Sequence, residues 1–212
     1  MWRSASANGP DSRLPNFSRR TTITLIRCFG ECVSERMPGH DEEETPTMST
    51  PRDVILGQLA TGQYLLDKFT SDLSDQEYFV TPTEGANHAA WIVGHIAVSE
   101  DSMSAAVTGG KKHFGDDLYK LFQGGTACVQ NPSMYPSRKA IDELFRNARA
   151  HCIESLKAFD VNRWDEKMPD SFSPELFPTR GSYWNLIGTH HFWHIGQLTV
   201  CRVALRKKHV LM

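Results

Sequence analysis

The chain has 212 residues, 40% of them apolar, and a net charge of -2 with histidine neutral. That length fits one ordinary domain, or one domain with a tail, and that apolar share suffices for a single core. No run approaches the roughly 18 apolar residues of a membrane-spanning helix, and no basic field is available for a nucleic-acid backbone, so neither a membrane nor a nucleic acid is an expected partner.

Residues 1–47 mix Ser, Asn, Pro, Gly and Arg and end in the acidic run Asp41–Glu44. Apart from Thr22–Phe29 they hold no apolar segment and no sustained helix or strand period. A secretory signal needs an apolar stretch near the terminus, which Met1–Ser12 lacks. Arg3, Arg13, Arg19, Arg20 and Arg27 imitate a transit peptide, but Asp11, Glu31 and Glu35 weigh against one. The segment reads as a disordered tail, or as an over-extended start upstream of Met48, where Met-Ser-Thr-Pro-Arg-Asp is a natural beginning. The fold is expected over residues 48–212.

Four helical segments come next. The first spans about Pro51–Ser71, with Val54, Ile55, Leu59, Leu65, Leu66 and Phe69 at helix spacings, Thr50 as N-cap and Pro51 at the first helical position. The second opens near Asn87, a good capping residue, and ends at Gly109-Gly110. A long connection, Lys111–Pro136, is punctuated by Gly115, Gly124-Gly125 and Asn131-Pro132. The third segment starts at Ser137 and carries Ile141, Leu144, Phe145, Ala148, Cys152, Leu156 and Phe159 along one face. The fourth starts after a cap signal at Gly181-Ser182 and runs to about Lys208, with Arg202, Arg206, Lys207 and Lys208 suiting the negative end of the helix dipole. No stretch alternates long enough for a strand. The predicted class is all-α, a four-helix bundle with a disordered N-terminal tail.

Five cysteines (Cys28, Cys32, Cys128, Cys152 and Cys201) are odd in number and have no disulfide rhythm. Cys152 and Cys201 fall on apolar stripes, where a thiol acts as a small hydrophobe, and a reducing cytoplasm is the simplest compartment. Histidine is the unusual count, at nine, and five of the nine fall in His88–His95 and His190–His194.

The inward stripe of the fourth segment is Tyr183, Ile187, His190, His194, Leu198, Cys201 and Leu205. Histidine replaces an aliphatic residue on two successive turns, about 5–6 Å apart at Cβ, so both imidazoles reach one ion. The alternative is two core histidines satisfied by hydrogen bonds; two polar rings in one stripe, each needing a partner, favour the metal. The zinc proteases that share the HxxxH spacing carry glutamate directly after the first histidine as general base. Here that residue is His191, so the protease reading fails. Gly188 and Gly196 predict close approach by a neighbouring helix. On the second segment, His95 comes one turn after Trp91 and is expected inward, while His88, near the helix end, is expected to face solvent. Three neutral imidazoles suit Zn²⁺ or Ni²⁺ and leave a coordination position open. Trp91, Trp184 and Trp193 fall near the presumed site, core or interface packing being the commoner role of such rings. Tyr183 and Asn185, within two turns of His190, either reach a ligand or serve as helix-start residues.

Trp91-x-x-Gly94-His95 on one helix and His190-x-x-x-His194-x-Gly196-Gln197 on the last resemble the DinB-like (DinB/YfiT) superfamily, over about Ser49–Lys208. The resemblance implies a four-helix bundle, often dimeric, with one divalent metal on three histidines, carried over here as His95, His190 and His194. Characterised members of the family include transferases that use low-molecular-weight thiols such as bacillithiol or mycothiol, and a maleylpyruvate isomerase. For this chain the resemblance implies a metal-dependent transferase or isomerase acting on a small thiol and an electrophile, with a homodimer as the expected assembly. The alternatives are a metal-dependent hydrolase and a non-catalytic metal or small-molecule binding module. Two positions depart from the family's usual look: Ile195 stands where a basic residue is common, and His191 where glutamate is. Neither removes a ligand, and both alter the pocket or its surroundings. No general base stands beside the triad, which agrees with a nucleophile activated by the metal itself. No catalytic side chain is assigned.

Overall fold

The computed structural model describes residues 49–210; the tail, Cys28 and Cys32 lie outside the described residues. Helix α1 (Pro51–Thr70) opens on a capping box, in which the Thr50 hydroxyl accepts from Asp53 N and the Asp53 carboxylate accepts from Thr50 N. Helix α2 (Ala89–Thr108) stops at Gly109, whose φ of 78° is the left-handed conformation that glycine adopts without strain. The long connection then forms a short helix α3 (Asp116–Phe122), too brief to show a period in the sequence. Helix α4 (Arg138–Ala158) is capped by Ser137. Helix α5 (Arg180–Ala204) is capped by Thr179, three residues before the expected Ser182, which instead completes a box with it. α5 also ends short of Lys208. Arg206 takes a φ of 55° there, and the Arg202 guanidinium folds back on Asp72, on the Phe69 carbonyl and on the Lys208 carbonyl. Arg202 is therefore a buried clamp, not a solvated charge at the helix end.

The long helices α1, α2, α4 and α5 form the bundle. α1 and α5 run parallel: Gln58 faces Asn185, Gly62 faces His191, and Phe69 meets Arg202. α2 and α4 run parallel too, His88 lying against Tyr135 and Glu100 against Arg149. The two pairs oppose each other, since Val107 meets Arg180 and Asn87 meets Cys201. Among the described residues no helix is long and apolar enough to cross a membrane.

Each long helix changes character at mid-height. One apolar cluster holds Leu66, Phe69, Ile92, Ile96, Ile141, Phe145 and Leu198; the other holds Ile55, Leu59, Val107, Leu156, Trp184 and Ile187. Between them lie Gly62, Glu100, Arg149 and His190–His194. Arg149 Nε donates to Glu100 Oε2 at 2.9 Å, its other nitrogens reach Glu100 Oε1 and the Leu59 carbonyl, and both side chains are buried. One ion pair thus ties α1, α2 and α4. One expectation fails at the surface: Gly196 has nothing among the described residues within 4 Å of where its Cβ would stand. Gly188 does permit close approach, since a Cβ there would stand 2.2 Å from Gln58 Oε1.

Candidate metal centre

Antiparallel packing of α2 on α5 brings His95 to His190 and His194, one ligand nitrogen from each lying within 4.8 Å of the others. His190 and His194 share a face because they are four residues apart on one helix, and their Nε2 atoms are 3.1 Å apart. Two imidazole nitrogens about 2.1 Å from one ion at tetrahedral angles stand about 3.4 Å apart. The pair is therefore close to metal-sharing geometry. Two bare lone pairs at that separation repel, so a proton or a cation must lie between them.

The outer nitrogens differ from one ring to the next. His95 Nδ1 lies 2.7 Å from the Phe122 carbonyl oxygen. A carbonyl only accepts, so Nδ1 carries the proton and Nε2 presents its lone pair to the centre. His194 Nδ1 likewise donates to Gln197 Oε1 at 3.1 Å. His190 Nδ1 is buried and has no partner among the described residues. Trp91 lies flat on His95 with ring centroids 4.8 Å apart and donates its indole N–H to Thr126. The connection after α2 therefore walls the site, through Phe122, Thr126 and Gly124, whose position a Cβ would bring to 3.9 Å from the His95 ring.

All three rings are held neutral at pH 7. Burial, then the neighbouring His194, pushes His95 down to about 4. Burial, then His194 and His95, pushes His190 down to about 3. Burial lowers His194 as well, against the Gln197 hydrogen bond. Neutral imidazole is the form that binds a metal, so the donor set fits a borderline divalent cation. The family model of the DinB superfamily matches residues 58–198, which span all three histidines. The chain belongs to the DinB superfamily. A comparison with curated proteins gives no match.

The other singled-out residues of this DinB-like chain separate into site and scaffold. His88, expected in solvent, is fully buried: its Nδ1 accepts from Trp91 N at 2.9 Å and caps α2, and its ring packs between Phe79 and Tyr135. Capping falls to His88 instead of Asn87 because its extended backbone aims the ring at the first turn. Trp193 is 60% exposed and edge-on to His190 at 6.0 Å, so it borders the centre. Trp184 does not. It lies six residues before His190, on another face of α5, and is buried against Phe159. Tyr183 packs on Phe172 and Phe177, and Asn185 faces Gln58, so their contacts lie elsewhere.

His191 points away from the triad toward α1. A Cβ at Gly62 would stand 1.9 Å from its Nε2, so glycine is what admits the ring. Among the described residues neither ring nitrogen finds a hydrogen bond of good geometry. Burial, then the Arg149 charge, pushes His191 down to about 3, and the nearby Gln58 carbonyl offsets this only in part. A cavity of about 610 Å³ lies between the N-terminal ends of α1 and α5, around Ile55, Trp164 and Asn185, and shares no residue with the triad. Donor chemistry, not cavity size, singles out the histidines. The Phe122 carbonyl and the His88 cap had no signal in the sequence, whereas Gln197 was already part of the family motif.

Proposed function

We propose that His95, His190 and His194 hold one divalent metal ion, zinc or nickel by the character of the donors, in a transferase or isomerase that acts on a small thiol. The observation that supports this most is the convergence of three neutral imidazoles from two helices, with two of the three outer nitrogens already fixed by acceptors. When bound there, an ion with only neutral ligands would supply uncompensated positive charge, lowering the pKa of a thiol or water in the open position. The protein's own part is orientation. Phe122 and Gln197 hold the tautomers that aim Nε2 inward, Trp91 fixes the plane of His95, and exposed Trp193 offers an apolar face beside His190. In the reaction a sulfur–carbon bond forms to the electrophile, its leaving group departs with the electron pair, and the thiol proton goes to solvent. The homodimer and the reducing cytoplasm implied by the resemblance and the cysteine pattern belong to the same proposal.

The test is a screen of the zinc- and nickel-loaded chain with several low-molecular-weight thiols and an alkylating electrophile, following free thiol. Consumption that is lost on chelation and in His190→Ala is the expected result. Metal-loaded protein that consumes no thiol would instead make the centre a non-catalytic binding module.

A further inference from the structure

We infer that Asp101 is a positioning residue for the metal centre, acting through α3 to hold the carbonyl that sets the tautomer of His95. The inference rests on the metal reading of His95, and its geometry is independent of that reading.

Among the described residues His95 Nδ1 has one acceptor, the carbonyl of Phe122, 27 residues away in sequence and in the last turn of α3. Carbonyls in the last turn of a helix lack intrahelical partners, so this oxygen is free to take the imidazole N–H. A helix of seven residues does not hold itself in place. α3 packs on the core through Leu118, Tyr119, Leu121 and Phe122, and a specific contact with α2 ties each of its ends. At its C-terminal end the Phe122 ring lies over Gly94, where a Cβ would come within 2.4 Å of the ring. At its N-terminal end the attachment is Asp101.

Asp101 is 3% exposed and lies six residues beyond His95 on α2. Its carboxylate accepts from His113 N at 2.9 Å, from Phe114 N at 3.3 Å, from His113 Nδ1 at 2.8 Å and from the Tyr119 hydroxyl. Those donors lie in the strand of chain that enters α3 and in α3 itself. One buried carboxylate thus gathers residues 113–119, and Phe122 comes less than one turn after Tyr119. Ligating histidines that lose the acceptor on their outer nitrogen typically lose roughly 10–100-fold in metal affinity. Here the acceptor sits on an element that the carboxylate holds down.

The experiment uses the full chain as wild type, Asp101→Asn and Tyr119→Phe. Asparagine keeps the shape but turns an amide N–H₂ toward four donors; the Tyr119 variant removes one bond only. Three quantities are read: the His95 tautomer in zinc-free protein from imidazole ¹⁵N shifts, zinc affinity, and melting temperature. Wild type is expected to show His95 protonated on Nδ1 alone. Asp101→Asn is expected to show a tautomer mixture and roughly 10–100-fold weaker zinc binding, with Tyr119→Phe intermediate. A folded Asp101→Asn protein with a single Nδ1–H tautomer and wild-type zinc affinity would overturn the inference. If Asp101→Asn does not fold, Tyr119→Phe decides by the same two readings. If wild type binds no zinc, the metal reading fails, and the tautomer shift in zinc-free protein still decides the role of Asp101.

Discussion

Arg149→Ala removes the partner of a buried carboxylate. Glu100 is 1% exposed, and among the described residues its hydrogen bonds all come from the one guanidinium, which donates twice to Glu100 and once to the Leu59 carbonyl. Breaking such a pair from one side leaves an uncompensated buried charge, at a cost of about 3–5 kcal/mol. For a domain of this size each kcal/mol moves the melting temperature by roughly 2–4 °C, so a fall of about 6–20 °C is expected. The pH dependence identifies the cause. Burial already raises the Glu100 carboxyl against the pull of Arg149, and without Arg149 it rises further. A raised folded-state value stabilises below the unfolded value and loses that stability as pH rises, so the penalty of Arg149→Ala relative to wild type shrinks from pH 8 to pH 5. Replacing both partners by apolar residues of similar volume, Glu100→Met with Arg149→Met, recovers most of the loss. Calorimetric melting of the three proteins at both pH values is the assay. An Arg149→Ala protein melting within about 2 °C of wild type, or a double variant no better than the single, would refute the ion pair as a structural tie.

The geometry carries three further expected outcomes. His88→Ala loses the α2 cap and a fully buried ring and is expected to destabilise by about 3–4 kcal/mol in urea titration while zinc stoichiometry stays unchanged; loss of zinc would make His88 part of the centre. Burial holds His88, His95, His190, His191 and His194 below their ordinary value, to about 4 at His95 and about 3 at His190 and His191. They bind protons in the unfolded chain first, so stability is complete above about pH 6.5 and falls as pH drops toward 4; a urea midpoint that is flat from pH 7.5 to 5 contradicts this. A chain beginning at Met48 is expected to melt with the full chain and to hold the same metal, a drop of several degrees showing that residues 1–47 pack on the bundle.

Much of this arrangement was readable from one dimension because it is local. Thr50 and Pro51 open α1 on adjacent residues, and His190 with His194 interrupts an apolar stripe at i and i+4. The features that could not be read are long-range or too short to repeat. Glu100 and Arg149 are 49 residues apart and give no periodic signal. Asp116–Phe122 is under two turns and lies between Gly115 and Gly124-Gly125, so its composition reads as loop. The acceptor for His95 is a backbone carbonyl, which no residue type announces. Gly62 and Gly94 look like weak points in helices, yet each receives a ring, from His191 and Phe122. Gly196 looks the same and receives nothing.

The central claim is that three histidines share one ion, and zinc titration of the purified full chain by calorimetry tests it most directly. Wild type is expected to bind one zinc per chain, with affinity lost as pH falls and protons compete for the imidazoles. His95→Ala, His190→Ala and His194→Ala each leave two ligands and should weaken binding far more than His209→Ala, which should match wild type. One zinc per chain at undiminished affinity in His194→Ala would mean that the stripe histidines are core residues and no ligands at all.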